Sequence, residues 1–98
     1  MLKSELFAQI LECVAFETEI TKEQILSCCR TAETVDARYI LIYLLSREGF
    51  YNAEIANLLK MSRQSVGQVL NRFHDRCKQS GKMFEITLNR ICKCIESK

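Results

Sequence analysis

The chain of 98 residues contains no proline and no tryptophan, only three glycines and a single histidine. Without proline, and with glycine confined to Gly49, Gly67 and Gly81, it is short of the residues that turn-rich sheet folds need. No apolar run approaches the ~18 residues required to cross a bilayer, so no membrane partner is expected. The opening stretch "MLKSELFAQILECVAF" has two acids within its apolar part and no small-residue cleavage site. It reads as an amphipathic helix rather than an export signal, which implies a cytoplasmic protein. The lone His74 has no nucleophile motif or carboxylate pair beside it in sequence, so no catalytic residue, and no enzyme, is expected.

What is present is apolar residue content of 48% and six cysteines: Cys13, Cys28, Cys29, Cys77, Cys92 and Cys94. The length suits one domain with a modest core. In a protein that is not exported the cysteines are expected to be reduced thiols. None has the CxxC spacing of a zinc knuckle; His74 and Cys77 share a helical face, but buried thiols are the simpler reading, so no metal or other cofactor is expected. The net charge is only +2, yet residues 60–82 carry six basic groups against one acidic, a local +5. A basic segment on a nearly neutral chain points one face toward a polyanion.

Apolar spacing predicts an all-α bundle of about six helices filling residues 1–98 as a single domain. The expected helices cover residues 3–18, 22–28, 36–48, 53–60, 63–79 and 82–96. Thr21 and Gln24 form a capping box for the second. Gly49 closes the third in a left-handed conformation, and Asn52 is the expected N-cap of the fourth. "SCCRTAET" reads as a loop, and Ser80-Gly81 as the end of the fifth helix.

The most informative stretch is "EIANLLKMSRQSVGQVLNRF", residues 54–73, where one apolar periodicity stops at Lys60 and another starts after Ser62. A Ser62 hydroxyl capping the next helix explains the break without proline or glycine. Lys60 then takes the left-handed turn position usually held by glycine, at about 1 kcal/mol. With Val66, Val69, Leu70 and Phe73 turned inward, Gln64, Gln68, Asn71 and Asp75 point out at about 100° per residue, flanked by Arg63, Ser65 and Arg72. This is helix-turn-helix spacing, and amides can pair bidentately with adenine. The expected partner is double-stranded DNA. Arg63, Gln64, Ser65 and Gln68 would read bases. Lys60, Asn71, Arg72 and Arg76 would meet the backbone, and Gly67 would admit a groove wall.

Three stretches resemble the C-terminal DNA-binding domain of the bacterial replication initiator DnaA, of the Trp-repressor-like class. "ILECVAFETEITKEQILS" (Ile10–Ser27) is similar to its opening helix, loop and second helix. "RTAETVDARYILIYLLSRE" (Arg30–Glu48) is similar to its basic loop and following helix, with "VDAR" the most specific piece. "NAEIANLL…SVGQVLNRF" is similar to its helix-turn-helix. The resemblance implies major-groove binding by the helix after Ser62, with Ser62, Arg63, Gln64 and Ser65 in the slots of the family's "DHTT". It also implies a backbone contact for Arg38 and a minor-groove role for the loop bearing Arg30. "LKMSRQSV" stands where the family has "GGRDHTTV", and Cys28, Cys29, Ala32 and Glu33 replace several basic residues of its loop. No GxxxxGK[ST] motif is present, so a free-standing DNA-binding regulator of transcription or replication is implied, not an initiator ATPase. The alternative is a protein-interaction module on the same scaffold, marked by exposed Tyr39, Tyr43 and Tyr51. A homodimer through Phe84, Leu88, Ile91 and Ile95 of the last helix is a further expectation.

Overall fold

The computed structural model describes residues 2–26 and 32–96. The protein is all-α, with no strand among the described residues. Arg30 and the vicinal Cys28 and Cys29 lie outside the described residues, as do residues 27 and 28 of the expected second helix.

Helix α1 (Lys3–Thr18) has the expected limits and turns Ile10, Leu11, Cys13 and Val14 into the core. It ends at Glu19, whose φ of 58° places it in the left-handed region. The capping box of α2 (Lys22–Leu26) is made as expected: the Gln24 N–H donates to Thr21 Oγ1 at 3.1 Å and the Thr21 N–H donates to Gln24 Oε1 at 3.2 Å. Those two bonds satisfy amides that a five-residue helix has no other means of pairing.

Helix α3 (Ala32–Arg47) starts before the expected Asp36. The segment 32–35 lacks an apolar stripe, but Glu33 suits the positive N-terminal end of a helix and Thr34 is buried, so packing extends the helix into apparent loop sequence. Consecutive Ile40, Leu41 and Ile42 are all buried, which a helix lying on a surface cannot achieve. α3 is the axis of the molecule, and every other helix packs against it. Gly49 then takes φ 98°, and the Phe50 N–H closes back onto the Leu45 carbonyl at 3.0 Å.

Helix α4 (Asn52–Leu59) corrects the expected cap. Asn52 is its first helical residue, and Tyr51 stands extended before it. The orphan N–H of Tyr51 is instead satisfied by Glu54 Oε1 at 3.0 Å.

Helix α5 (Arg63–Glu96) joins the two last expected helices in one run of 34 helical residues. It is not straight. Eleven residues of straight helix rise ~16 Å, yet the Phe73 and Phe84 ring centroids are 5.6 Å apart. A straight helix of this length would reach ~50 Å, whereas the longest dimension of the molecule is 32 Å. The element therefore folds back between Phe73 and Phe84, an interval that holds the Ser80-Gly81 pair, the kind of sequence at which helices bend sharply. Its C-terminal limb buries Phe84 and Ile91 and half-buries Leu88 and Ile95 against the same core. The stripe proposed for pairing two copies is thus largely consumed within one chain.

Candidate nucleic-acid interface

The turn between α4 and α5 is built from backbone bonds. Lys60 has φ 55° and ψ 48°, and its N–H donates to the Ala56 carbonyl. The Met61 N–H reaches the same carbonyl at 2.9 Å, and Met61 packs half-buried on the core. Ser62 starts α5 as its sequence predicts: Ser62 Oγ accepts the Ser65 N–H at 3.1 Å and donates to Ser65 Oγ at 2.9 Å. The Ser62 hydroxyl therefore caps the helix, and the Ser65 hydroxyl is bonded to it.

Below the turn, Ile55, Ala56 and Leu59 of α4 meet Val66 and Phe73 of α5 in the core, with Val69 and Leu70 half-buried beside them. Phe73 is fixed on its other side by Tyr43, stacked at 4.2 Å with an interplanar angle of 1°. That packing sets the rotation of α5. Arg63, Gln64, Gln68, Asn71, Arg72 and Asp75 are all exposed, with Lys60 exposed at the turn. Gln64, Gln68, Asn71 and Asp75 follow one stripe along the helix, and Asp75 is the acid at its far end.

The remaining predicted residues sit differently. Arg38 Nε donates to the Ile25 carbonyl at 2.8 Å, so it ties α3 to the end of α2 rather than projecting freely. Arg76 is committed: Nε and Nη2 bind Asp36 Oδ1 at 2.7 and 2.6 Å, and the guanidinium lies 4.9 Å from the Tyr39 ring centre. It holds α5 to α3 and is not available to a phosphate as the sequence suggested. Gly67 is half-buried, and a Cβ added there would face Asn52 Nδ2 at 3.8 Å, so its bare side looks toward α4 and not outward.

Sequence reasoning missed two features. Asn52, relieved of the capping role, is exposed beside Gly67 and adds a side-chain amide next to the stripe. Glu54 would place a carboxylate on α4, but Lys3 of α1 grips both its oxygens at 2.8 and 2.9 Å. The Lys3 bond, with the Tyr51 N–H, holds the Glu54 carboxyl below its ordinary range. Partners so distant in sequence carry no local signal.

The three tyrosines do not form one patch. Tyr43 stacks on Phe73, Tyr39 lies under Arg76, and Tyr51 stands exposed near Lys3. No His, Cys, Asp or Glu side chains gather into a metal-binding group among the described residues; the His74 side chain is outside them. Burial, then the Glu85 charge, pushes the Cys77 thiol up, which disfavours the thiolate that a metal or an electrophile would need. No helix among the described residues is long and apolar enough to cross a membrane. No family model matches the chain, and no curated protein or solved structure matches it.

Proposed function

We propose that the chain binds double-stranded DNA sequence-specifically, with α4 and the first limb of α5 as a helix-turn-helix, and acts as a small regulator of transcription or replication. The observation that carries this is the exposed amide stripe of Gln64, Gln68 and Asn71, bordered by Lys60, Arg63 and Arg72. The acids Glu54 and Asp36, on α4 and α3, are each neutralised by a basic partner, which lowers the repulsion a phosphate backbone would meet. The divergent likeness to the DnaA C-terminal domain points the same way.

In this reading Gln64 and Gln68 contact base edges in the major groove, and Arg63 either bases or phosphate. Lys60, Asn71 and Arg72 hold the backbone. Ser62 and Ser65 serve chiefly to start the helix at the correct angle. Arg38 ties α3 to the end of α2.

Selection of bound duplexes from a random pool, followed by salt titration, tests the proposal. Gln68→Ala is expected to relax preference at one base pair, worth about 1–3 kcal/mol of discrimination. Arg72→Ala is expected to weaken all duplexes and to lower the salt slope by about 1. Enrichment of no sequence, with both variants binding random duplex as the parent does, overturns it. The competing protein-interaction module would show indifference to DNA at low salt.

A further inference from the structure

Cys13 of α1 and Cys94 of the C-terminal limb of α5 meet where those two helices pack, and Cys92 lies nearby on the same limb, toward α3. Cys13 is 1% exposed. The half-buried Cys94 brings its Sγ to 2.8 Å from Cys13 Sγ. The two are 81 positions apart, so the approach is made by helix packing and not by local sequence. Cys92 sits two residues earlier, which on a helix is ~200° away, and its sulfur accepts a bond from Arg47 Nη1 at 3.6 Å. The geometry thus selects one pair from the thiols on this side of the molecule. A disulfide needs its sulfurs at about 2.0 Å, so the helices must close by less than 1 Å or so.

We propose that Cys13 and Cys94 are a thiol-modification site that closes reversibly to a disulfide, with a low-molecular-weight disulfide of the glutathione type as oxidant. Cys94 is the entry point because it is half-buried where Cys13 is buried. Its thiol releases a proton to water, and the thiolate attacks one sulfur of the small disulfide. That S–S bond breaks, and one small thiolate leaves and is protonated. Cys13, after losing its own proton, attacks the Cys94 sulfur of the mixed disulfide and expels the second small thiolate. Two protein S–H groups become one S–S bond, the small disulfide is reduced to two thiols, and no other reactant is consumed. The bond would pin α1 to the last turns of α5 and close a loop around most of the chain, restricting the unfolded state. It leaves the stripe on the first limb untouched, so it is independent of the DNA-binding reading.

The test treats the full chain with oxidised glutathione, alkylates remaining thiols under denaturing conditions, and digests it with trypsin without reduction. Lys93 separates Cys92 from Cys94, so the two fall on different peptides, and Cys13 falls on the peptide of residues 4–22. The expected product links residues 4–22 to residues 94–98. It is accompanied by a rise in Tm on the order of 10 °C, and a dithiol reverses both changes. Cys92→Ser should keep the link and Cys94→Ser should abolish it. A mixed disulfide that persists on Cys94 while Cys13 is alkylated overturns the proposal. So does a link from Cys13 to any other cysteine. The parent chain's peptide map decides the matter even if a variant folds poorly.

Discussion

Replacing Lys60 by glycine should make the protein more stable and a poorer ligand for DNA at once. Lys60 holds φ 55° and ψ 48° at the end of α4. An L-residue there costs roughly 1–2 kcal/mol from the crowding of Cβ against its own carbonyl. Glycine escapes that crowding but loses more freedom on folding, which returns about half of the gain. The two N–H bonds onto the Ala56 carbonyl belong to the backbone and survive the change. The lysine side chain is exposed, so no buried packing is lost. The net expectation is a gain of about 0.5–1 kcal/mol, or ~5 °C in Tm for a domain of this size. On the binding side one cation leaves the turn, and the slope of log K against log salt should shrink by about 0.9. Urea and thermal unfolding measure the first quantity, and salt-titrated binding to the selected duplex the second. Lys60→Asn, which tolerates the left-handed turn, should reproduce the loss of slope. Destabilisation by glycine would refute the account of the turn, and an unchanged salt slope would remove Lys60 from the interface.

Other substitutions separate fold from face in the same way. Ser62→Ala should cost about 1 kcal/mol in urea unfolding through loss of the Ser65 amide bond, whereas Ser62→Asp should keep the cap and lower duplex affinity. Gly67→Ala should stabilise by about 1 kcal/mol, because its new Cβ meets only ordinary contact with Asn52. Since that Cβ faces α4, duplex affinity should hold; a large loss would show that a groove wall comes against Gly67 after all. Glu54 has its pKa lowered in the folded state, so its contribution is fully present above its ordinary value of 4.5 and is lost as pH falls below that. A pH series of unfolding midpoints should therefore decline below about pH 4.5, and Glu54→Gln should flatten that part of the decline.

Short-range features were legible in the residues. The Thr21–Gln24 box, the Gly49 closure, the Ser62 cap and the limits of α1 each depend on a few neighbouring side chains, and all four occur as expected. Two errors arose where packing outweighed local preference. Buried Thr34 lies in a helix that begins earlier than its apolar pattern suggests, and Glu54, not Asn52, satisfies the start of α4. Ser80-Gly81 reads in the sequence as the end of a helix, but it lies inside the helical run of α5. On the candidate face, angular arithmetic found which side chains point outward. It gave no hint that Asp36 claims Arg76 or that Lys3 claims Glu54, since these pairs lie 40 and 51 positions apart. Charge counting along the sequence therefore treats Arg76 as free for a phosphate and overlooks that Asp36 and Glu54 are quenched.

The meeting of α1 with the last turns of α5 also bears on how the chain folds. The apolar side of α1, with Ile10 and Val14, packs on α3 and also on α5, so its cover is completed only by the last helix. Most small helical proteins collapse quickly because their contacts are local; this one must close its longest loop to complete its core, which slows the search. Until α5 is made, the first helix therefore keeps part of its apolar side bare, and early self-association competes with completion of the core.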